Sequence, residues 1–480
     1  MIDIVIIGAG ASGLAIAHKL AFSKKSVLMA SEKTLKNYSY HYNHSSYKDE
    51  ISGFKGYGGN LNIWGNVCRP LDVDDFFEGN KYYPSKKSFI EASILLNCSY
   101  GLKYWFSENR SHNLFYDSVE SILNKHNLRQ NTYTMNVPPL PFDDKLVRKI
   151  YKKTAFDNFN QQKKAILDNF MIKTITENKD KTYSVTGVCQ KTKINKVLHT
   201  KFIVLAAGTV KNFEILSRSL INNKLVEKNH ILSKLGKNIS DHIHGNIGSL
   251  IFKDKIKTPG KKISKSMRLR CSFSPSSKSI KGRHGVYLLP AFGELRSDSN
   301  EELKKILISL KKNKLYIFKL IKEFIKDPKA FIEIFYYVFL EKRELKKFYI
   351  WGVFEQLSSK HTLEYDKKND CTIVNWSISD QDYYEIQNVM KYSAKIFKGI
   401  TKTSNIFSKN ILSQSLVPAQ HLVGSLMQGD DKQSVVDKKY KLIGYENIYC
   451  ADASILPAKG FANITLTVVA NSLQLGESLK

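Results

Sequence analysis

A chain of 480 residues is longer than one compact core serves and suits two closely packed domains. Its 42% hydrophobic and 25% charged residues are the balance of an ordinary folded protein, which excludes a disordered chain. The net charge of +30 is carried mainly by lysines spread along the whole length, with no arginine cluster or nucleic-acid-binding motif beside them, and this argues against a nucleic-acid partner.

Six cysteines, Cys68, Cys98, Cys189, Cys271, Cys371 and Cys450, stand apart with no short pairing. They indicate neither a zinc site nor a disulfide framework, and no metal site is expected. The opening apolar stretch runs straight into a glycine-rich turn, leaving no room for a secretion signal, and no run is apolar enough to span a bilayer. The expected location is the cytoplasm.

Ile2 to Ile7 is a short apolar, β-branched run, the pattern of a strand buried on both faces. Gly8, Ala9, Gly10, Ala11, Ser12 and Gly13 follow, and then Leu14 to Leu20 at helical spacing. In this order Gly8 permits the turn, Gly10 lets the backbone approach a pyrophosphate, and Gly13 allows the helix to pack closely on the strand. The helix N-terminus adds N–H groups and partial positive charge. A second strand, Ser26 to Ala30, leads to Glu32, placed to bind an adenosine ribose, with Ser31 an alternative occupant of that position. Strand, turn, helix, strand and acid together predict dinucleotide binding without separating FAD from NAD.

Gly56 to Pro70 reads GYGGNLNIWGNVCRP, a loop able to lay its backbone against a flat ring system. Phe202 to Asn212, FIVLAAGTVKN, reads as a buried strand ending in a small-residue turn, and Leu235 to His242 is LGKNISDH. Near the end, His421 to Gly429 reads HLVGSLMQG and Asn447 to Asn463 reads NIYCADASILPAKGFAN, before an apolar final helix.

These segments resemble the glucose-methanol-choline (GMC) oxidoreductase family, and especially its sugar-oxidising members. The resemblance touches nearly the whole chain and is specific at both ends. Lys237 stands where the family has arginine, and Ile464 where proline is common. It implies an α/β fold: a Rossmann-like FAD-binding domain, discontinuous over 1–80, 150–250 and 418–480, and an α+β substrate domain over 81–149 and 251–417, built on a mostly antiparallel sheet. By the same resemblance His421 is the general base, and Asn463 donates to the substrate oxygen. The implied cofactor contacts are Gly8, Gly10, Ser12, Gly13, Glu32, Asn60, Trp64, Gly65, Val188 near the adenine and Asp452 near the ribityl or phosphate region. Several relatives tether FAD through a histidine just before the loop tryptophan. Ile63 occupies that position here, so the FAD is expected to be non-covalent.

The implied reaction removes a hydroxyl proton and transfers the carbon-bound hydrogen as hydride from a small-molecule alcohol or saccharide, leaving the electron acceptor open. Histidine suits the proton step because its neutral form is populated near pH 7. The remaining histidines, including the His41 and His44 pair and the His242 and His244 pair, read as structural. A redox-neutral, lyase-type flavoprotein on the same fold and a non-catalytic FAD-bound interaction protein are the alternatives.

Residues 300–347 carry apolar and aromatic side chains at helical spacing with lysines between them, interrupted by Asp327 and Pro328. They read as two basic amphipathic helices. One reading is a flap packed on the substrate domain. The other is a peripheral contact with an anionic membrane surface at its inner face, with a lipid-linked saccharide as substrate.

Overall fold

The computed structural model describes all residues except 33–34, 39–40, 43–52, 63, 65–66, 77–80, 107–116, 127, 137–141, 155, 157–161, 259–260, 263, 265–266, 276–282, 292–327, 329–330, 335–343, 358–359, 431 and 458–459. Two sheets organise the chain. The first has the spatial order 170–177, 183–189, 195–205, 2–7, 27–31, 164–168 and 152–154, with Ile448–Cys450 beside Asn195–Leu205. Its middle is parallel, and Ile4 lies opposite both Phe202 and Val27. Ile4, Val5 and Ile6 are fully buried, which is why this strand tolerates no alternation of apolar and polar residues.

Helix Ala11–Leu20 begins directly after the glycine turn. Gly8 has φ +111°, and a Cβ there would overlap the Ala206 carbonyl of the neighbouring strand. A Cβ on Gly13 would collide with the Gly8 carbonyl, so the helix could not start this close to its strand. The final helix, Thr465–Ser478, packs across the opening one, where the Ser472 hydroxyl donates to Ser12 Oγ at 2.7 Å. Opposite this crossing, Lys19 pairs with Glu477 at 3.1 Å and with Glu91 at 2.5 Å. Both chain ends are thus fastened to the same turn.

The second sheet runs 401–406, 243–257, 344–354, 284–290, 267–274, 129–136 and 67–68, flanked by Lys261–Lys262 and Leu416–Pro418. All its described pairings are antiparallel. Phe252, Phe273, Phe348 and Phe397 close it against helix Asp380–Phe397, with ring centroids 5.5 to 5.9 Å apart. That helix starts at Ser379, whose hydroxyl accepts from the Asp382 N–H while the Asp382 carboxylate accepts from the Ser379 N–H. The chain therefore combines a Rossmann-like α/β unit with an antiparallel sheet domain.

The two units exchange more chain than the sequence boundaries provide. Ile243–Lys257 is one continuous strand of the second sheet, so residues 243–250 leave the first unit, and Val67–Cys68 leaves it as well. The basic segment 300–347 lies for the most part outside the described residues. Residues 331–334 are helical, but Glu344 already opens strand Glu344–Phe354, so the helix expected to reach Leu345 ends before it. The cause is long-range: Glu344 and Leu345 pair with Lys257 and Ile256, which no local periodicity reports.

Gly13→Ala should cost about 3 kcal/mol or more, because the added methyl group meets backbone rather than a movable side chain. A thermal melt against the unaltered protein checks this, and an unchanged midpoint would mean that the helix is not held at this spacing.

Candidate active site

One cavity of about 410 Å³ runs between the glycine turn and the C-terminal segments. Gly8, Gly10, Ser12, Glu32, Asn60, Trp64, Asp452, His421 and Asn463 all line it, so residues from the first and last parts of the chain meet there. Gly65 and Ile63 lie outside the described residues, as does His44. No group of three His, Cys, Asp or Glu side chains among the described residues is placed to hold a metal ion.

At the mouth beside the second strand, Glu32 faces the cavity with Oε2 buried and without a hydrogen-bond partner among the described residues. Lys55 and Lys211 stand 3.7 and 3.8 Å from its carboxylate. A buried carboxylate oxygen without a donor costs stability unless a ligand supplies one, and a ribose hydroxyl does. Val188 does not reach this end. Strand Phe170–Glu177 follows Lys164–Asp168 after a single residue, and Asp168 pairs with Ser31, so it is Phe170 and Ile172 that arrive beside Glu32. Val188 pairs with Met171 from the next strand over and does not line the cavity.

Gly10 has no atom within 4 Å of where a Cβ would sit, which leaves its backbone open to a ligand. The N-termini of helices Ala11–Leu20 and Thr465–Ser478 both abut the cavity, with Ala11 and Thr465 in its wall, and two sets of free N–H groups favour negative charge there. Trp64 contributes a buried Nε1 donor that has no partner among the described residues. Asp452 works differently from a free ligand group. Its carboxylate accepts from Gly208 N and Asn212 Nδ2, both at 2.7 Å, and from Ser454 N and Oγ, tying the turn after Leu205 to the C-terminal strand.

His421 is positioned almost wholly by backbone hydrogen bonds. The buried Asp241 carboxylate accepts from the His421 and Gln420 N–H groups, each at 2.9 Å, and from His242 N at 2.7 Å. Val423 and Ser240 exchange two backbone bonds, and Ser425 and Thr209 donate to Thr209 O and Leu422 O. Gly424 has φ +96° and passes so close to the Asn238 carbonyl that no side chain fits. The HLVGS spelling follows from these contacts. Asn463 Nδ2 stands 3.5 Å from His421 Nε2, which puts the imidazole and the carboxamide on one wall of the cavity.

Burial, with a smaller contribution from His244, pushes the His421 pKa down to about 4. His244 is held at about 4 by burial, and His242 well below its ordinary value by burial and by the two flanking imidazoles. Burial raises Asp241 to about 7 against its three N–H donors. All three rings are therefore neutral at pH 7, and His421 has its lone pair available. Neither His242 nor His244 lines the cavity, but they pack close behind it: the His242 ring meets His421 edge-on at 5.4 Å, and His244 packs on Trp351. Sequence spacing gave little sign of them beyond the SDH spelling. Phe170, Ile172 and Lys211 also escaped it, having only ordinary strand and helix patterns.

Residues 360–472 match the family model of the GMC oxidoreductases. That match lies in the C-terminal part of the chain and includes His421 and Asn463. A search of curated proteins by sequence finds no match. Among solved structures, pyridoxine 4-oxidase from Mesorbium loti superposes with a TM-score of 0.65 at 12% identity, covering 100% of this chain and 99% of the other. A formate oxidase structure gives a TM-score of 0.57 at 13% identity over 100% and 98% of the two chains, and a variant of the Aspergillus oryzae RIB40 formate oxidase gives 0.58 at 14% over the same shares. At such identities these likenesses speak to the fold alone. The cavity's lining fits FAD, the cofactor that the sequence resemblance implies. The unpaired Glu32 oxygen and Trp64 N–H, the open face at Gly10 and the two helix N-termini fit its ribose, pyrophosphate and ring.

The low His421 pKa has a thermodynamic signature. Unfolded histidine binds a proton below about 6.5, whereas folded His421 does so only near 4. The unfolded state therefore takes up the extra proton as pH falls through this window, and the stability contribution present above it is lost. His421→Gln removes that titration. Chemical denaturation at pH 7 and pH 5 should show the wild type losing stability relative to the variant on acidification, by at most about 1.4 kcal/mol per pH unit. An unchanged difference would contradict the depressed pKa.

Proposed function

We propose that this chain is a GMC oxidoreductase that oxidises a CH–OH group of a sugar or other polyol, with His421 as the base. The observation that carries the reading is the placement of His421 Nε2 and Asn463 Nδ2, 3.5 Å apart, on the cavity that begins at the glycine turn. FAD, when bound, supplies the hydride acceptor. His421, neutral at pH 7, takes the hydroxyl proton at Nε2. The Asn463 amide donates to the substrate oxygen as negative charge develops there, a stabilisation stronger in the transition state than in the ground state. Asparagine has no basic nitrogen, so the proton step rests on His421 alone. Thr465 and the first turn of the final helix favour an anionic ring at the adjoining edge. Ile63, in place of a tethering histidine, supports a dissociable cofactor.

The test is anaerobic mixing of the holoprotein with a panel of sugars and polyols, extended to pyridoxine and formate because the structural neighbours are named for them. Loss of visible flavin absorbance with one alcohol is the expected result. His421→Ala should retain the cofactor yet slow that bleaching on the order of a hundredfold or more. Turnover of substrate without bleaching would point to redox-neutral chemistry, and unchanged bleaching in the variant would remove His421 from the mechanism.

A further inference from the structure

We propose that His242 is a positioning residue that sets the tautomer of His421 and so decides which of its ring nitrogens accepts the substrate proton. This rests on His421 being the base. The two Nδ1 atoms are 3.4 Å apart with the rings at 84°, close enough to share one hydrogen. Two neutral imidazoles meeting in this way allow only two arrangements, because one Nδ1 must donate and the other accept. If His242 donates, His421 carries its own proton on Nε2 and offers the cavity a donor. If His421 donates, its Nε2 keeps a lone pair facing Asn463.

Asn463 decides between them. Its Nδ2 lies 3.5 Å from His421 Nε2, and an amide NH2 is only a donor, so Nε2 is the acceptor. The proton of His421 then sits on Nδ1, His242 accepts it at Nδ1, and His242 carries its own proton on Nε2. His242 is held for this role from both sides of its backbone: its N–H donates to Asp241 at 2.7 Å, and its carbonyl accepts from Ala419 N at 2.8 Å. The residue is 4% exposed, so water competes little for Nδ1. The other titratable groups nearby are Asp241, whose carboxylate accepts backbone N–H groups from residues 242, 420 and 421, and His244, which packs on Trp351.

Nitrogen NMR of the FAD-loaded protein, labelled at histidine and assigned with a His421→Gln control, reads the tautomer without any substrate. The expected pattern is a protonated Nδ1 and an unprotonated Nε2 on His421, and an unprotonated Nδ1 and a protonated Nε2 on His242. In His242→Leu the His421 pattern should lose its Nδ1 preference, and the anaerobic flavin-reduction rate should fall roughly ten- to a hundredfold with KM little changed. His242→Asn, which keeps an acceptor oxygen near the Nδ1 position, should recover most of that rate. A protonated Nε2 on wild-type His421 overturns the proposal. So does a His242→Leu variant that reduces flavin within twofold of wild type, or an equal loss in Leu and Asn variants at equal cofactor content. Should His242→Leu not fold, the wild-type spectrum and the Asn variant decide. A correct tautomer together with full activity in His421→Ala would instead count against His421 as base and leave the tautomer assignment standing.

Discussion

The carboxylate of Asp241 is the contact on which the site depends. It sits fully buried at the start of a long strand of the second sheet and receives N–H groups from its own neighbour His242 and from Gln420 and His421, some 180 residues later. No other described contact fixes the His421 backbone so directly. Three donors on one carboxylate favour its charged form, while burial opposes it, and the result is a group poised near pH 7. Removing a buried acceptor of this kind would leave three backbone donors unpaired, a larger penalty than the loss of any one hydrogen bond.

Around this contact the chain is folded so that remote segments share one cavity. The glycine turn, the strand ending at Leu205, the segment from Ala451 to Ser454 and the final helix converge from one side. The antiparallel sheet, entered through Ile243 directly after Asp241 and His242, adds Val67 to the cavity wall and leads through Leu416–Pro418 to Ala419, Gln420 and His421. Leu416–Pro418 pairs with the first residues of that strand, which carries the chain straight into the His421 turn. The two units therefore do not dock as independent bodies. They are laced by the same residues that place His421.

Much of this was legible in the sequence because the chemistry is local. A glycine turn between a β-branched strand and an apolar helix has few other uses, and His421 and Asn463 sit in spellings that backbone contacts explain, such as Gly424 against Asn238. What the sequence did not reveal depends on long-range pairing. Val188 and Ile172 both lie on alternating strands of one hairpin, and only the pairing of Ser31 with Asp168 brings the strand of Ile172 to Glu32. His242 looked structural because its partner is 179 residues away. Leu345 continued a helical period by composition alone and was claimed by a strand whose partner begins at Ile243.

The central claim is that an imidazole and a carboxamide from the last part of the chain face the ring of an FAD whose phosphates lie on the first glycine turn. A crystal structure of the protein grown with FAD tests it most directly. The account predicts the pyrophosphate at Gly10 and the N-terminus of helix Ala11–Leu20, the ribose on Glu32, and the flavin ring between Trp64 and Thr465 with His421 and Asn463 on one face. A flavin ring seated away from both side chains, or a cavity that remains empty at saturating FAD, would contradict it.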